Sequence, residues 1–294
     1  MNSPRHRHLA LLGFLGLSLL ASWFVFRNAF WAGAVIAPLD IGPALYSKYA
    51  WLDPQSSGIP ANHYIIDHLQ YDLPQQYSIY QAYQSGEIPW WDPYAFGGRP
   101  FLADAHVNGL DPIRVVMYRL LPFVWAYNWT LILHSILTGL GMFLLLRQFG
   151  QSPASACWLS LAYQFAGCYI MFIGHPWIRA TFLYYPFLWL VWHQAVRGGR
   201  LLLVAPAGLL VAAAMYAGNL QSNSYLIIFA GIFAVAYGWR DFQTWKKLVV
   251  VLGLSLVLGA ALAAPLVSAE VELFVLGSRP ILDRKSTRLN SSHS

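Results

Sequence analysis

The sequence predicts an all-α polytopic membrane protein with about seven transmembrane helices and a large first outer loop that bears an interfacial helix. Of its 294 residues, 57% are hydrophobic and 10% are charged, and the mean hydropathy is +0.48. Soluble domains carry about 25% charged residues. The 13 Trp, 17 Tyr and 17 Phe suit a protein with many membrane–water interfaces. This composition excludes a soluble enzyme and a disordered chain, and the formal charge of +6 forms no basic stripe for nucleic acid.

Seven apolar segments are long enough to cross about 30 Å of hydrocarbon as helices. The first follows Arg5 and Arg7 but lacks a small-residue cleavage site, so we predict an uncleaved anchor rather than a signal peptide. Gly139 and Gly141 are expected to let the second span pack closely against its neighbours. The predicted spans are Leu9–Phe26, Phe123–Leu146, Ala154–Ile173, Ala180–Val196, Leu201–Ala217, Ser222–Trp239 and Leu248–Val267.

The short loops predict how these spans are oriented. The N-terminus and every second loop are rich in Lys and Arg and contain a single acid, Asp241. Basic loops face the cytoplasm, so the loop between the first and second spans, about residues 31–122, is predicted to face outward. We therefore look for function in that outer loop. The basic residues on the cytoplasmic side are Arg5, Arg7, Arg147, Arg197, Arg200, Arg240, Lys246 and Lys247.

A short helix is predicted within the outer loop. Asp72 is its predicted N-cap, the following Pro lies in the first turn, and Gly86 supplies a stop signal. Leu73, Tyr77 and Tyr80 share one face of this segment. Such an aromatic face indicates a helix that lies in the membrane interface.

The segment after this helix, Gly86–Asp104, reads GEIPWWDPYAFGGRPFLAD. Its prolines and paired glycines require special backbone angles, which predicts a defined turn structure rather than a helix or a strand. Trp90, Trp91 and Tyr94 give the segment enough apolar area to pack on a membrane surface.

The last residues are interpreted as a non-native tail. Asp283–His293 reads DRKSTRLNSSH, follows an apolar region without a transition, and matches the translation of a widely used sequencing-adapter oligonucleotide. We therefore expect residues 1–282 to form one membrane domain, the first part of a longer open reading frame. Residues 283–294 are excluded from that domain.

A longer pattern runs through the outer loop: an Asp followed by Pro and a short helix, then G-[DE]-[IL]-P-x-W-[ND]-P-Y-x-F-x-G-x-P, then a stretch containing Asp. The matching residues are Asp72, Pro74, Gly86, Glu87, Ile88, Pro89, Trp91, Pro93, Tyr94, Phe96, Gly98, Pro100 and Asp104. This pattern resembles YfhO-type bacterial membrane proteins, which belong with the GT-C class of polyprenyl-phosphate-sugar-dependent glycosyltransferases. Further similarity lies at Gly174-His175-Pro176, Ala217–Gln221 and Glu272–Arg279.

The resemblance implies that residues 1–282 are a truncated GT-C-like membrane domain of the bacterial cytoplasmic membrane. Such a protein would move a sugar from a polyprenyl-phosphate carrier to a cell-surface polymer or lipid on the outer face. Its partners would be that donor, a glycan or lipid acceptor and the bilayer. Two alternatives stay open: a transporter or flippase of lipid-linked sugars, and a non-catalytic membrane assembly factor. A transporter is expected to place ionisable groups near the bilayer midplane, whereas most acids here lie in the outer segments.

Sugar transfer needs a base for the acceptor hydroxyl and cations or donors for the departing phosphate. Asp72 is the candidate base, and its alternative role is that of a plain N-cap. Asp104 is the second candidate acid, and the alternative is that it is only a solvated residue of the loop. His175 and Arg179, where the chain enters the fourth span, are the candidate phosphate ligands, and Arg99 is a third. Alternatively, Arg179 could extend its side chain so that its charge reaches the membrane interface without binding a ligand. Arg99 could be only a turn residue.

A metal ion is the one cofactor that the resemblance leaves open, because an Asp of this loop in the wider class either acts as the base or binds a divalent metal ion. The histidines close to acids, His63, His68 and His106, have no spacing that is typical of a dedicated metal site. No metal site is therefore predicted. His134 and Asn128, within the second span, are expected to bond neighbouring helices.

Overall fold

A computed structural model describes residues 4–30, 34–37, 39, 67–95, 97–101, 103–104, 106–171, 173, 175–218, 220–238 and 241–276. Most of these residues are helical, as the composition predicts. The predicted tail at 283–294, loop residues 40–66 with His63, and the motif residue Phe96 lie outside the described residues.

The described elements are helices and one two-stranded sheet. The strands β1 (Trp91–Asp92) and β2 (Arg99–Pro100) pair antiparallel, with Trp91 opposite Pro100 and Asp92 opposite Arg99. The helices are α1 (Pro4–Val25), α2 (Leu73–Gln84), α3 (Pro112–Leu120), α4 (Phe123–Gln148), α5 (Pro153–Gln164), α6 (Gly167–Met171), α7 (Pro176–Gly198), α8 (Val204–Ala217), α9 (Leu220–Gly238), α10 (Phe242–Leu262) and α11 (Ala264–Leu276).

Three helical segments are long and apolar enough to cross a membrane: Arg5–Val25, Phe123–Gln148 and Gln243–Leu262. Two shorter apolar helices cover Leu201–Ala217 and Gln221–Ala236. Length and composition of these helices support a membrane protein, since about 20 apolar residues span the hydrocarbon layer. The number of seven spans and the orientation stay predictions.

The predicted third span, Ala154–Ile173, is wrong as one continuous helix. Helix α5 ends at Gln164 and α6 begins at Gly167. The buried Gln164 side chain accepts a hydrogen bond from Ser18 Oγ at 2.8 Å and donates one to Ser22 Oγ at 3.1 Å, so α5 is tied to α1 where it ends. The predicted seventh span is likewise divided, because α10 ends at Leu262.

Helix α4 lies at the centre of the bundle and packs against α1, α3, α5 and α7. Close packing at its two glycines is confirmed. A Cβ atom on Gly139 would lie 2.5 Å from Oε1 of Gln164, and one on Gly141 would lie 2.9 Å from the Phe187 ring. On the other side of α7, a core cluster joins it to α8 and α10, with Trp192 fully buried.

The start of α2 differs from its prediction. The chain is already helical before Asp72, because residues His68–Asp72 form a π-helical turn that runs into α2. Asp72 has helical angles and its side chain makes no capping hydrogen bond to the described backbone, so the N-cap assignment is wrong. The predicted stop is confirmed: α2 ends at Gln84 and Gly86 has a φ of 80°.

Helix α2 also packs more deeply than an interfacial helix would. Ile79 and Tyr83 are buried against α3 and the start of α4, whereas Tyr77 is 46% exposed. The end of the bundle at which α4 and α7 begin is called the loop end, because α2, α3 and the sheet pack there. The opposite end, where α1 begins and α4 and α7 finish, is called the basic end.

Candidate functional site

A cluster of polar side chains at the loop end is built around Arg99. Strand β2 carries Arg99, whose Nη1 lies 2.9 Å from Oδ2 of Asp104 and whose Nε lies 3.5 Å from Oδ2 of Asp92. The Tyr71 hydroxyl donates to the same Asp104 oxygen at 2.6 Å and also accepts from Arg99. The side chains of Arg99 and Asp104 are 14% and 15% exposed, so this carboxylate–guanidinium pair is reachable from solvent.

The environment of Asp104 keeps its carboxyl group ionised. Burial alone would raise its pKa, but hydrogen bonds from His106 and Tyr71 and the charge of Arg99 outweigh burial and bring the pKa below its usual range. A carboxylate with a lowered pKa is a poor proton acceptor at neutral pH. Asp104 therefore suits binding and positioning better than proton transfer.

Asp72 lies in a second, closed cluster. Its Oδ2 is 3.1 Å from Nδ1 of His68, four residues earlier, and its Oδ1 accepts from the Gln76 amide at 3.2 Å. The other imidazole nitrogen of His68 lies 3.0 Å from the Tyr127 hydroxyl of α4. Asp72 is 2% exposed and His68 is 1% exposed. Carboxylate, imidazole and phenol thus lie in one buried row of polar groups.

The two clusters are neighbours. Tyr71 of the first and Asp72 of the second are consecutive residues of the π-helical turn, a kind of helix irregularity that is common at functional sites. Trp177, near the start of α7, contacts His106 of the loop. Its ring centroid lies 5.3 Å from that of His106 and 5.0 Å from that of His175. Burial lowers the pKa of His175, and the nearby His68 lowers it further. His175 therefore lies between the Asp72 and Asp104 clusters.

Arg179 is fully buried in the first turn of α7. Its Nη2 donates to the Leu131 carbonyl at 3.4 Å, and its guanidinium carbon lies 4.6 Å from the centroid of the Tyr169 ring. The other two nitrogens, Nε and Nη1, have no hydrogen-bond partner of good geometry within the described ranges, so the nearby Tyr169 side chain compensates the charge only in part. A buried cation with unpaired donors is costly unless an anion compensates it.

An apolar cavity of about 370 Å³ is connected to this arginine through Tyr169, while Arg179 itself does not line the cavity. Tyr169 belongs to both, because its ring contacts Arg179 and also lines the cavity. The cavity wall is almost entirely apolar and aromatic, which suits a hydrocarbon chain. Its lining residues are Met142, Leu145, Tyr163, Ala166, Tyr169, Phe182, Tyr185, Pro186, Trp189 and Phe229.

A third polar cluster joins the outer loop to the bundle without reaching solvent. Asp111 caps α3 by accepting from the Arg114 backbone N–H at 3.2 Å, and its Oδ2 lies 2.9 Å from Nε2 of His134 in α4. The side chains of Asp111, Arg114 and His134 are fully buried. Burial alone would raise the pKa of Asp111, but His134 and Arg114 lower it overall. The expectation that His134 bonds a neighbouring helix is confirmed.

Glu270 of α11 is a residue that the sequence did not single out. It lies near Asp104 and His106, is half-buried, and its Oε1 has no hydrogen-bond partner in the part of the chain that the structure describes. Burial raises the pKa of Glu270 to about 7, while the nearby His106 lowers it and the charge of Asp104 raises it. A carboxyl group that titrates near neutral pH beside an ionised one is typical of acid–base sites.

Glu270→Gln should remove a pH dependence of stability. The folded pKa is raised from 4.5 to about 7, so the folded state binds more protons than the unfolded state in this window and loses stability as pH rises through it. We expect a loss on the order of 1 kcal/mol between pH 5 and pH 8, because the half-exposed group is screened by solvent. Thermal unfolding in detergent would measure it, with the exposed Glu87→Gln as control. An unchanged pH profile for the Glu270 variant would contradict this role.

The structure brings the predicted site residues to one end of the bundle but divides them into separate contacts. Asp104 and Arg99 pair directly, Asp72 pairs with His68, His175 lies between these clusters, and Arg179 is buried beneath them. The four-residue spacing of His68 and Asp72 could have indicated their contact if the helix had been predicted to begin earlier. Among the described residues, no group of three or more His, Cys, Asp or Glu side chains could hold a metal ion.

Comparison with known protein families, with characterised proteins and with solved structures finds no significant match to this chain. The resemblance to YfhO-type proteins therefore rests on the sequence motif alone. A function for this chain has to be inferred from the contacts at the loop end.

Proposed function

We propose that this protein transfers a sugar from a polyprenyl-phosphate carrier to a cell-surface glycan or lipid on the outer face of the bacterial cytoplasmic membrane. The observation that carries the proposal is the buried Arg179, whose neighbour Tyr169 also lines an apolar cavity of about 370 Å³. A lipid phosphate has an anionic group for the guanidinium and a hydrocarbon chain for the cavity. Tyr169 contacts Arg179 and lines the cavity, which supports the binding of both parts of such a ligand side by side.

The two carboxylates of the site are suited to different roles because their environments differ. Asp104 is paired with Arg99 and stays ionised, so we assign it to positioning the acceptor and the loop. Asp72 faces an imidazole rather than a guanidinium, and the Asp72–His68 pair is the proposed proton acceptor. Because both residues are buried, the acceptor would have to enter between the turn at 68–72 and the start of α7, where His175 lies.

The departing phosphate needs cations or hydrogen-bond donors in the same place. Arg179 and His175 both belong to the beginning of α7, one in its first turn and one directly before it. We propose that Arg179 binds the carrier phosphate and that His175 donates to it. The predicted orientation, with the N-terminus in the cytoplasm, would put this end of the bundle on the outer face.

Arg179→Gln should weaken the use of the lipid-linked donor. Removing a hydrogen-bonded charge on a phosphate costs about 1.5–3 kcal/mol, so we expect the KM for the donor to rise about 10- to 100-fold. Stability should not fall, because the substitution also removes a buried charge with unpaired donors. Radiolabelled sugar transfer in membranes of cells that express the protein would measure KM, and the exposed Arg119→Gln, at the same end of the bundle, is the matched control.

Two outcomes would contradict the proposal. If Arg179→Gln and Arg119→Gln behave alike while wild-type protein transfers sugar, Arg179 does not bind the donor. If no polyprenyl-phosphate sugar supports transfer by wild-type protein, but labelled carrier moves between leaflets of reconstituted vesicles, the transporter alternative is correct. Absence of both activities would favour an assembly factor.

A further inference from the structure

We infer that the basic end of the bundle binds the headgroup of an anionic glycerophospholipid. A pocket of about 590 Å³ lies there, far along α4 and α7 from the candidate active site. Helices α1 and α7 both pack against α4, and the pocket lies over the last turns of α4. Its lining residues are Arg7, His8, Leu11, Phe143, Leu144, Arg147, Gln148, Gly150, Leu190 and Gln194.

The charged part of the pocket comes from two helices. Arg7 lies in the first turn of α1 and Arg147 in the last turn of α4. The start of one helix and the end of another therefore bring two guanidinium groups to the same pocket. Guanidinium groups bind phosphate oxygens through paired hydrogen bonds. The amide side chains of Gln148 and Gln194 add neutral donors at the rim. None of the described residues that line the pocket is Asp or Glu, so this part of its wall does not neutralise the arginines.

The backbone keeps Arg147 at this position. Helix α4 ends in a tight turn in which Gly150 has a φ of 83°, and the N–H groups of Gly150 and Gln151 donate to the carbonyls of Arg147 and Leu146 at 3.2 and 3.1 Å. This is the glycine-dependent C-terminal turn that ends many helices. Arg147 Nη1 in turn donates to the Gln151 carbonyl, which leaves its remaining donors for a ligand.

The apolar part of the pocket decides in favour of a lipid over a free anion. Leu11, Phe143, Leu144 and Leu190 line the side that runs from the arginines toward the middle of the bundle. Phe143 stacks on Phe14 with ring centroids 4.7 Å apart, so this wall is part of the α1–α4 contact and not a loose surface. A phosphodiester at the arginines would place its acyl chains along this wall. Phosphatidylglycerol, with one negative charge, has that chemistry.

This lipid site is independent of the proposed glycosyltransferase function, because it shares no residue with the loop end. It needs only that the basic end lies at a membrane boundary, where basic residues attract anionic headgroups. The expected role is to hold α1 and α7 in place on α4.

The test is lipid retention by the purified chain in detergent, measured by native mass spectrometry with phosphatidylglycerol and phosphatidylcholine as probes. We expect wild-type protein to retain phosphatidylglycerol selectively. Arg7→Gln with Arg147→Gln should weaken retention roughly 30-fold, from two lost charge contacts. Arg197→Gln with Arg200→Gln removes two exposed arginines at the same end that do not line the pocket, and this control should change retention little.

Leu11→Trp provides a second variant that keeps both arginines and fills the apolar wall, so reduced retention does not depend on the double substitution folding correctly. Equal losses in the Arg197/Arg200 control would overturn the inference and show general attraction to a basic surface. Equal retention of both lipids, or full competition by inorganic phosphate, would also overturn it, the latter because it would show a site for a free anion.

Discussion

Replacing Asp72 with Asn should lower the rate of sugar transfer by a factor of about 10²–10⁴, the usual contribution of a general base. The substitution is nearly isosteric, and the Asn oxygen can still accept the Gln76 amide, which now donates to Asp72 at 3.2 Å. What is lost is the negative charge that faces His68 across 3.1 Å. Folding should therefore persist while the acid–base pair is removed. Transfer of radiolabelled sugar in membranes gives the rate, and membrane insertion is checked in the same samples.

Asp67→Asn is the matched control for this experiment, because Asp67 begins the same helical segment but is exposed. Its rate should stay near the wild-type value. His68→Gln should reproduce the loss seen for Asp72→Asn, since each partner is needed in a pair that acts as one unit. If Asp72→Asn keeps near-normal transfer while Asp104→Asn loses it, the base is Asp104 and the assignment of the two carboxylates has to be exchanged.

Replacing Asp111 with Ala should destabilise the protein by about 3–5 kcal/mol. The change removes the carboxylate of this cluster, while His134 and Arg114 stay buried. The same change also removes the N-cap of α3. The free energy of unfolding in mixed micelles of detergent and dodecyl sulfate would measure the loss. A double-mutant cycle with His134→Gln should give a coupling energy of about 0.5–3 kcal/mol.

A second helix cap separates the two causes. Asp241 caps α10 by accepting from the backbone of Gln243 at 3.0 Å and Thr244 at 3.2 Å, but it is exposed. Asp241→Ala therefore removes a cap without opening a buried ion pair, and a much smaller loss is expected. If the Asp111 and Asp241 variants lose equal stability, the buried contact with His134 contributes little and only capping matters.

The sequence predicted the helices better than it predicted their contacts. Long apolar segments such as Phe123–Leu146 and the stop at Gly86 follow from local chemistry, and the structure has them where they were expected. The start at Asp72 was misplaced, because the chain enters α2 through a π-helical turn at His68–Asp72 that the Asp and Pro residues do not indicate. The break after Gln164 depends on serines of α1 that lie more than 140 residues away in sequence.

The site was predicted as a set of residues but not as an arrangement. Arg99 and Asp104 are five residues apart, yet their common partner Tyr71 lies 28 residues from Arg99. No periodic pattern encodes such a contact, since it depends on how α2 and the sheet fold over each other. Glu270 was missed for the same reason: its raised pKa comes from burial beside Asp104, which composition cannot reveal.

The bond between Asn108 and the end of α8 has a consequence for biosynthesis. Asn108 is buried, has a left-handed φ of 39°, and donates from Nδ2 to the Ala217 carbonyl at 3.2 Å, across 109 residues of sequence. At synthesis rates of about 5–20 residues per second, its partner leaves the ribosome roughly 5–20 s later. During that interval the bond from Asn108 to α8 cannot form. The loop end is therefore completed late, after the helices from α4 to α8 have been synthesised.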